Sequence, residues 1–289
     1  MAPDRIPLLQ RSLLAVPATN PRFLEKAAQG AADAVFIDLE DAVVPELKEQ
    51  ARTTAIEAIG AIDWGTRALA VRVNDLTTPW GLHDLHELAA RAKRLDFVIL
   101  PKCEAAGDVA AAEAALRGSE IRLAPLIETA KAVAHVETIA AAGERMVAML
   151  FGPGDYGLDL GILDGSADTS FALARIANAC RAYNLAPIDG PYFEIANVEG
   201  MRQSCKRAAA LGFEGKMAIH PSQVEIANEV FAPSAAQLAW AREVLEAMTA
   251  AAEQGRGAVK TKDGKMIDLV HIKIARKVLE RAERIAKRR

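Results

Sequence analysis

Glu128 and Asp155 are the two residues whose type and placement point most directly to chemistry. Each follows an apolar run, APLI before Glu128 and VAMLFGPG before Asp155. Counted along the chain, these runs read as the fifth and sixth strands, so the carboxylates would leave the sheet at adjacent strand ends. Two carboxylates with space for water suit Mg²⁺, a hard cation that dehydrates reluctantly. A plainer reading makes them helix N-caps, because a helical stretch follows each, although Glu is a poor cap. Gly152, Gly154 and Gly157 surround Asp155 and allow backbone and ligand to approach closely.

Other charged residues fall at the downstream ends of apolar runs: Asp38, Glu40 and Asp41 in FIDLED, Arg72 in AVRVN, Lys102 in VILPK, Asp189 in APIDG and His220 in MAIHP. An unpaired charge inside a sheet is costly, but it is tolerable where a strand leaves. Arg72 needs a carboxylate partner, from FIDLED or from a substrate, and its planar fork suits either. Asp38 and Glu40 share a strand face by alternation. With Asp41 and Lys102 they read as residues that bind metal waters or hold Arg72 and Lys102 in place. His220 is a base or a strand-end cap, and the three cysteines, Cys103, Cys180 and Cys205, read as core.

Positioning these residues requires a regular scaffold, and the chain supplies one. Strand-like runs lie near 11–17, 34–40, 67–73, 97–101, 122–127, 145–151, 186–190 and 215–220, with helical periodicity between them. PRFLEKAAQGA, preceded by Thr19 and Asn20 as candidate caps, and LTTPWGLHDLHELAARAKR are two such stretches. Eight strand–helix units in 289 residues predict a (β/α)8 barrel, whose strand ends converge on one mouth. No GxGxxG follows the first strand, which argues against a dinucleotide fold. The pattern ends near residue 232. The division expected is a catalytic barrel over 1–232 and a helical lid or arm over 233–289, too short to fold alone.

Composition narrows the function classes. Net charge is −3 and no basic stripe lies on the barrel segment, which argues against nucleic acid. The basic tail RKVLERAERIAKRR reads as a solvated helix. No apolar stretch is long enough to span a bilayer. The apolar run near the N-terminus, interrupted by Arg11 and Pro17, reads as a first strand and not as a signal peptide. Three scattered cysteines fit neither a disulfide framework nor a zinc site, and fit a reducing cytoplasm.

RSLLAVPATN, DAVFIDLEDAVVPELKEQAR, VRVND, VILPKCE, LIETAKAV, LFGPGDYGLDLG, IDGPYFEI, GFEGKMAIHPSQVEIANEVFAPS and the late GKMID occur in that order over nearly the whole chain. In these stretches the sequence resembles the citrate lyase beta subunit-like family of the HpcH/HpaI aldolase group. The resemblance implies a barrel of the phosphoenolpyruvate/pyruvate-binding type, in trimers or hexamers. It also implies Mg²⁺-dependent making or breaking of a C–C bond in a 3-hydroxyacyl-CoA of the citramalyl, malyl or citryl type, giving an acyl-CoA and a 2-oxo acid. It assigns the metal to Glu128 and Asp155, substrate contact to Arg72, and an acid/base role across a subunit interface to Asp268; Gly154, beside Asp155 and without a side chain, is a further candidate for substrate contact. From the residues alone Asp268 is a turn or cap. Two other functions remain open: an aldolase on free 2-oxo acids, and a non-catalytic CoA-ester-binding protein. The MID-bearing tail argues against the first, and Arg72, Glu128 and Asp155 together argue against the second.

Overall fold

A computed structural model describes residues 10–162, 164, 166–260 and 264–287. The part of the N-terminal apolar run before residue 10 and positions 261–263 of the AVKTKDGKMID stretch lie outside the described residues, as do 288 and 289 of the basic tail. The chain forms two compact units, Met1–Phe231 and Ala232–Arg289.

Eight parallel strands close the first unit: β1 (Ser12–Pro17), β2 (Ala34–Asp38), β3 (Ala68–Arg72), β4 (Phe97–Leu100), β5 (Arg122–Ile127), β6 (Ala148–Phe151), β7 (Ala186–Asp189) and β8 (Gly215–Ala218). Each pairs with the next, and β8 returns to β1 through Ser12↔Lys216, Leu13↔Met217 and Leu14↔Ala218. The (β/α)8 barrel expected from the sequence is therefore present. Both faces of every strand are covered, which is why the strands read as near-continuous apolar runs.

Alternation sorts their side chains into two layers. Leu13, Ala34, Phe36, Ala68, Ala70, Phe97, Ala124, Leu126, Leu150, Ile188 and Met217 fill the inside, small residues offsetting large ones. Val35, Ile37, Leu69, Val71, Val98 and Leu123 point outward onto the buried faces of the helices. Helix α2 (Lys48–Ala61) shows the pattern, burying Ala51, Ala55, Ile56 and Ile59 at helical spacing. Each large aliphatic side chain so buried contributes roughly 1.5–3 kcal/mol.

Two local expectations need correction. In LTTPWGLHDLHELAARAKR only α3 (Gly81–Arg91) is helical. The preceding residues form a tight turn, and a Cβ at Gly81 would lie 2.4 Å from the carbonyl oxygen of Asp75. Asn20 occupies the N-cap of α1 (Pro21–Gln29), but its side chain makes no cap hydrogen bond; Pro21 at the first helical position sets the start.

The second unit contains α11 (Ala235–Glu253), a short antiparallel hairpin of β9 (Val259–Lys260) and β10 (Met266–Ile267), and α12 (Leu269–Ala286). Ser234 and Gln237 form a capping box at the start of α11. Ala241, Val244, Met248, Ile267 and Ala275 make its small core.

Candidate active site

Phe36, Ala70 and Leu126 belong to the inner layer. Two residues further on, the same inward face carries Asp38, Arg72 and Glu128. Three neighbouring or near-neighbouring strands thus place charge at the C-terminal mouth, where the inner apolar packing ends.

Arg72 is held by all three acidic residues of FIDLED. Its Nε and Nη2 donate to the two oxygens of Asp38 at 2.8 and 2.7 Å, a bidentate fork. Its Nη1 lies 2.8 Å from Glu40 and 3.1 Å from Asp41. Asp38 also accepts from the backbone N–H of Glu40 and of Ala42, closing the turn after β2. Burial pulls the Arg72 pKa down, but the Asp38 hydrogen bonds and the three carboxylates outweigh it and hold the guanidinium above its usual range. Lys102 lies 3.4 Å from Glu40, so Glu40 stands between the two cations.

Glu128 immediately follows β5 and is 2% exposed. It does not cap a helix. Thr129 caps α5 (Ala130–Ala134), and Glu128 accepts the backbone N–H of Lys102 at 2.8 Å. Asp155 lies in the first turn of α7 (Pro153–Asp159), whose N-cap position is Gly152, so Asp155 is not the cap either. Its charge reaches both Glu128 and Lys102 and shifts their titration. Gly154 is exposed beside it, and a Cβ there would touch the ring of Phe193 at 3.4 Å.

Burial pushes the Glu128 carboxyl up to about 8, with the charges of Glu40 and Asp155 adding and the Lys102 N–H and Arg72 opposing. Burial likewise raises Glu40 to about 7, against the attraction of Arg72. Both groups then bind protons in the native chain over a range where the unfolded chain has already released them. Stability of the metal-free protein should therefore fall as pH rises from about 5 to about 8.5, on the order of 3 kcal/mol for a shift the size of that at Glu40. Thermal melts across this range check it, and a flat or rising profile would contradict the assignment.

Within the barrel, the other candidates take structural places. Asp189 follows Ile188 of the inner layer and so faces outward, where it forms an ion pair with buried Lys216. It does not join the mouth. His220 bonds Ser222 in a turn, as a cap would. The three cysteines are free and buried. Asp268 caps α12 in the second unit, accepting from Val270 N–H at 2.9 Å and pairing with His271 at 2.8 Å.

Sequence reasoning missed two buried supports. Lys48 donates to the carbonyls of Leu39 and Glu40 at 2.8 and 2.7 Å, fixing the turn that carries Glu40. Asp84 pairs with Arg52 at 2.8 Å and accepts from both the backbone and the side chain of Asn74, which anchors the segment after Arg72. A charged residue on the apolar stripe of a helix was the available signal for both.

Comparison with known proteins agrees with this geometry. Residues 11–221 match the family model HpcH/HpaI aldolase/citrate lyase. An L-malyl-CoA/beta-methylmalyl-CoA lyase of Cereibacter sphaeroides is 40% identical over 298 residues, covering 93% of each chain. A (3S)-malyl-CoA thioesterase of the same organism is 38% identical, covering 96% of this chain and 95% of its own. Among solved structures, the CitE protein of Mycobacterium tuberculosis in complex with magnesium, acetoacetate and coenzyme A superposes with a TM-score of 0.77 at 31% identity, over 96% of this chain and 99% of that one. With its barrel closed and these matches spanning nearly the whole chain, the chain belongs to the HpcH/HpaI aldolase/citrate lyase family.

Proposed function

We propose that this protein is a Mg²⁺-dependent carbon–carbon lyase acting on a 3-hydroxyacyl-CoA, giving an acyl-CoA and a 2-oxo acid, or catalysing the reverse condensation. The observation that carries this is the mouth itself: Glu128 and Asp155 at adjacent strand ends, beside Arg72, in a chain 40% identical to malyl-CoA lyases.

The donor set fits the ion. Glu128 and Asp155 are hard oxygen donors, and a carboxyl whose pKa is raised by burial and by neighbouring carboxylates gains from a nearby cation. Among the described residues no group of three or more His, Cys, Asp or Glu side chains is arranged to hold a metal, and water and substrate would complete the coordination of an ion held by these two carboxylates. When bound, Mg²⁺ supplies Lewis acidity toward the oxygens of the 2-oxo acid half.

The chain's own residues do the rest. Arg72, fixed by Asp38, presents positive charge to oxygen that becomes negative as the C–C bond breaks. Glu40, Asp41 and Lys102 keep that guanidinium and the Glu128 carboxylate in register. Gly154, exposed and without a side chain, leaves its backbone open to the substrate. Asp268 exchanges the proton at the acyl-CoA carbon. Its pKa is lowered by the His271 bond and the helix cap, which favours the ionised form that takes this proton in the condensation direction.

The protein acts on this reading as a homotrimer or hexamer in the cytoplasm, with Asp268 of one copy serving the mouth of another. Its three free cysteines suit a reducing compartment, and among the described residues no helix is long and apolar enough to cross a membrane. An Asp268→Asn chain and an Arg72→Ala chain, each inactive alone, should regain activity when mixed into one oligomer. No recovery, with mixing verified by native mass spectrometry, would put Asp268 in its own subunit's site or outside catalysis.

Thioester hydrolysis is the second reading, favoured by the thioesterase relatives at 38% identity. Incubating malyl-CoA with the protein and Mg²⁺, read by mass spectrometry, separates the two. A shorter acyl-CoA with a 2-oxo acid supports the lyase. Free CoA with the hydroxy acid supports the thioesterase. Turnover of free 2-oxo acids alone would indicate an aldolase, and no turnover of any acyl-CoA would leave a binding protein.

A further inference from the structure

Glu128 is gripped by backbone features of the strands on either side of β5. On one side, Lys102 has φ of 47°, in the left-handed region that residues with a Cβ avoid. In that conformation its N–H donates to Glu128 Oε1 at 2.8 Å while its Nζ reaches toward Glu40. On the other side lies Gly152, tied to β5 by its own N–H bond to the Ile127 carbonyl at 3.0 Å. A Cβ at Gly152 would sit 2.5 Å from Glu128 Oε2 and 2.5 Å from Glu128 Cβ, so no residue with a side chain fits there as the site stands. Oε1 is thus committed to an amide. Oε2 lies over the glycine that opens the turn bearing Asp155.

We propose that Lys102 and Gly152 are positioning residues for Glu128. The left-handed turn at Lys102 engages Oε1, and the missing side chain at Gly152 leaves Oε2 room to face the Asp155 side as the oxygen offered to a divalent cation. The role of Lys102 in this is that of its backbone, not of its charge. The inference rests on the metal reading of Glu128 and Asp155.

Mn²⁺ binding to the metal-free full-length protein, read from the electron paramagnetic resonance signal of the free ion, tests it without any turnover. Lys102→Gly relieves the left-handed strain and keeps the amide, so affinity should stay within about twofold of wild type. Lys102→Val places a branched Cβ where φ is positive, loses the amide, and should weaken Mn²⁺ at least ~10-fold, the scale seen when a ligand's supporting group is removed. Gly152→Ala should weaken it comparably, with circular dichroism confirming the fold. An affinity order that follows charge, with Lys102→Arg retained and Lys102→Gly as weak as Lys102→Val, overturns the proposal. So does wild-type affinity in Gly152→Ala, which decides the matter even if Lys102→Val does not fold. Glu128→Gln keeps the two failures apart. If it binds Mn²⁺ like wild type, the metal reading itself falls. If it loses Mn²⁺ while Lys102→Val and Gly152→Ala keep it, only the positioning roles fall.

Discussion

Asp155→Ala is expected to reduce Mg²⁺-dependent turnover by at least ~1000-fold while the melting temperature moves by only a few degrees. Asp155 is half-buried, and its carboxylate makes no hydrogen bond to the described residues, so no internal partner is left unpaired when it goes. Ala suits a helical first turn, and losing a negative charge there costs only about 0.3–1 kcal/mol. The large loss would come from the cation, which would keep Glu128 as its one protein ligand. Mn²⁺ affinity and turnover, measured on the same folded sample, should fall together. Asp155→Asn should behave similarly, because it keeps the shape and removes the charge. Wild-type turnover in either variant, after treatment with a chelator and return of Mg²⁺, would remove Asp155 from the metal site.

Arg72→Lys is expected to lower kcat/KM by at least ~100-fold. Lysine keeps the charge but loses the planar fork, which here joins both oxygens of Asp38 and reaches Glu40 and Asp41. The three carboxylates change one part of the expectation for this residue. A role in substrate binding alone would imply little effect on stability. In the fold, the Arg72 side chain is 14% exposed inside an acidic cage, and loosening such a pair is commonly destabilising. Some loss is limited because Asp38 retains the backbone N–H groups of Glu40 and Ala42. A melting temperature lower by several degrees is therefore compatible with either role. The decisive quantity is kcat/KM in the fraction that remains folded. Near-wild-type activity there would make Arg72 a structural bridge and nothing more.

The barrel was legible in the chain because burial on both faces writes each parallel strand as an apolar run, and the interruptions by Pro, Gly and charge fall where strands leave the sheet. Strand boundaries such as 122–127 could be read directly. So could the adjacency of Glu128 and Asp155, since order along the chain is order around a barrel. What sequence order leaves open is direction. Asp38, Arg72 and Glu128 turn inward because they continue the alternation of Phe36, Ala70 and Leu126. Asp189 ends its strand in the same way, yet lies one step out of that alternation. It turns outward to meet Lys216, the residue opposite it in the β7–β8 register. Lys102 is a similar case: as a letter it is a cation, and only the left-handed turn after β4 makes its amide a partner for Glu128. The sequence alone determined which residues reach the strand ends. Closure of the barrel decided which of them share a site, because register sets the face of every side chain, and register exists only once all eight strands have paired.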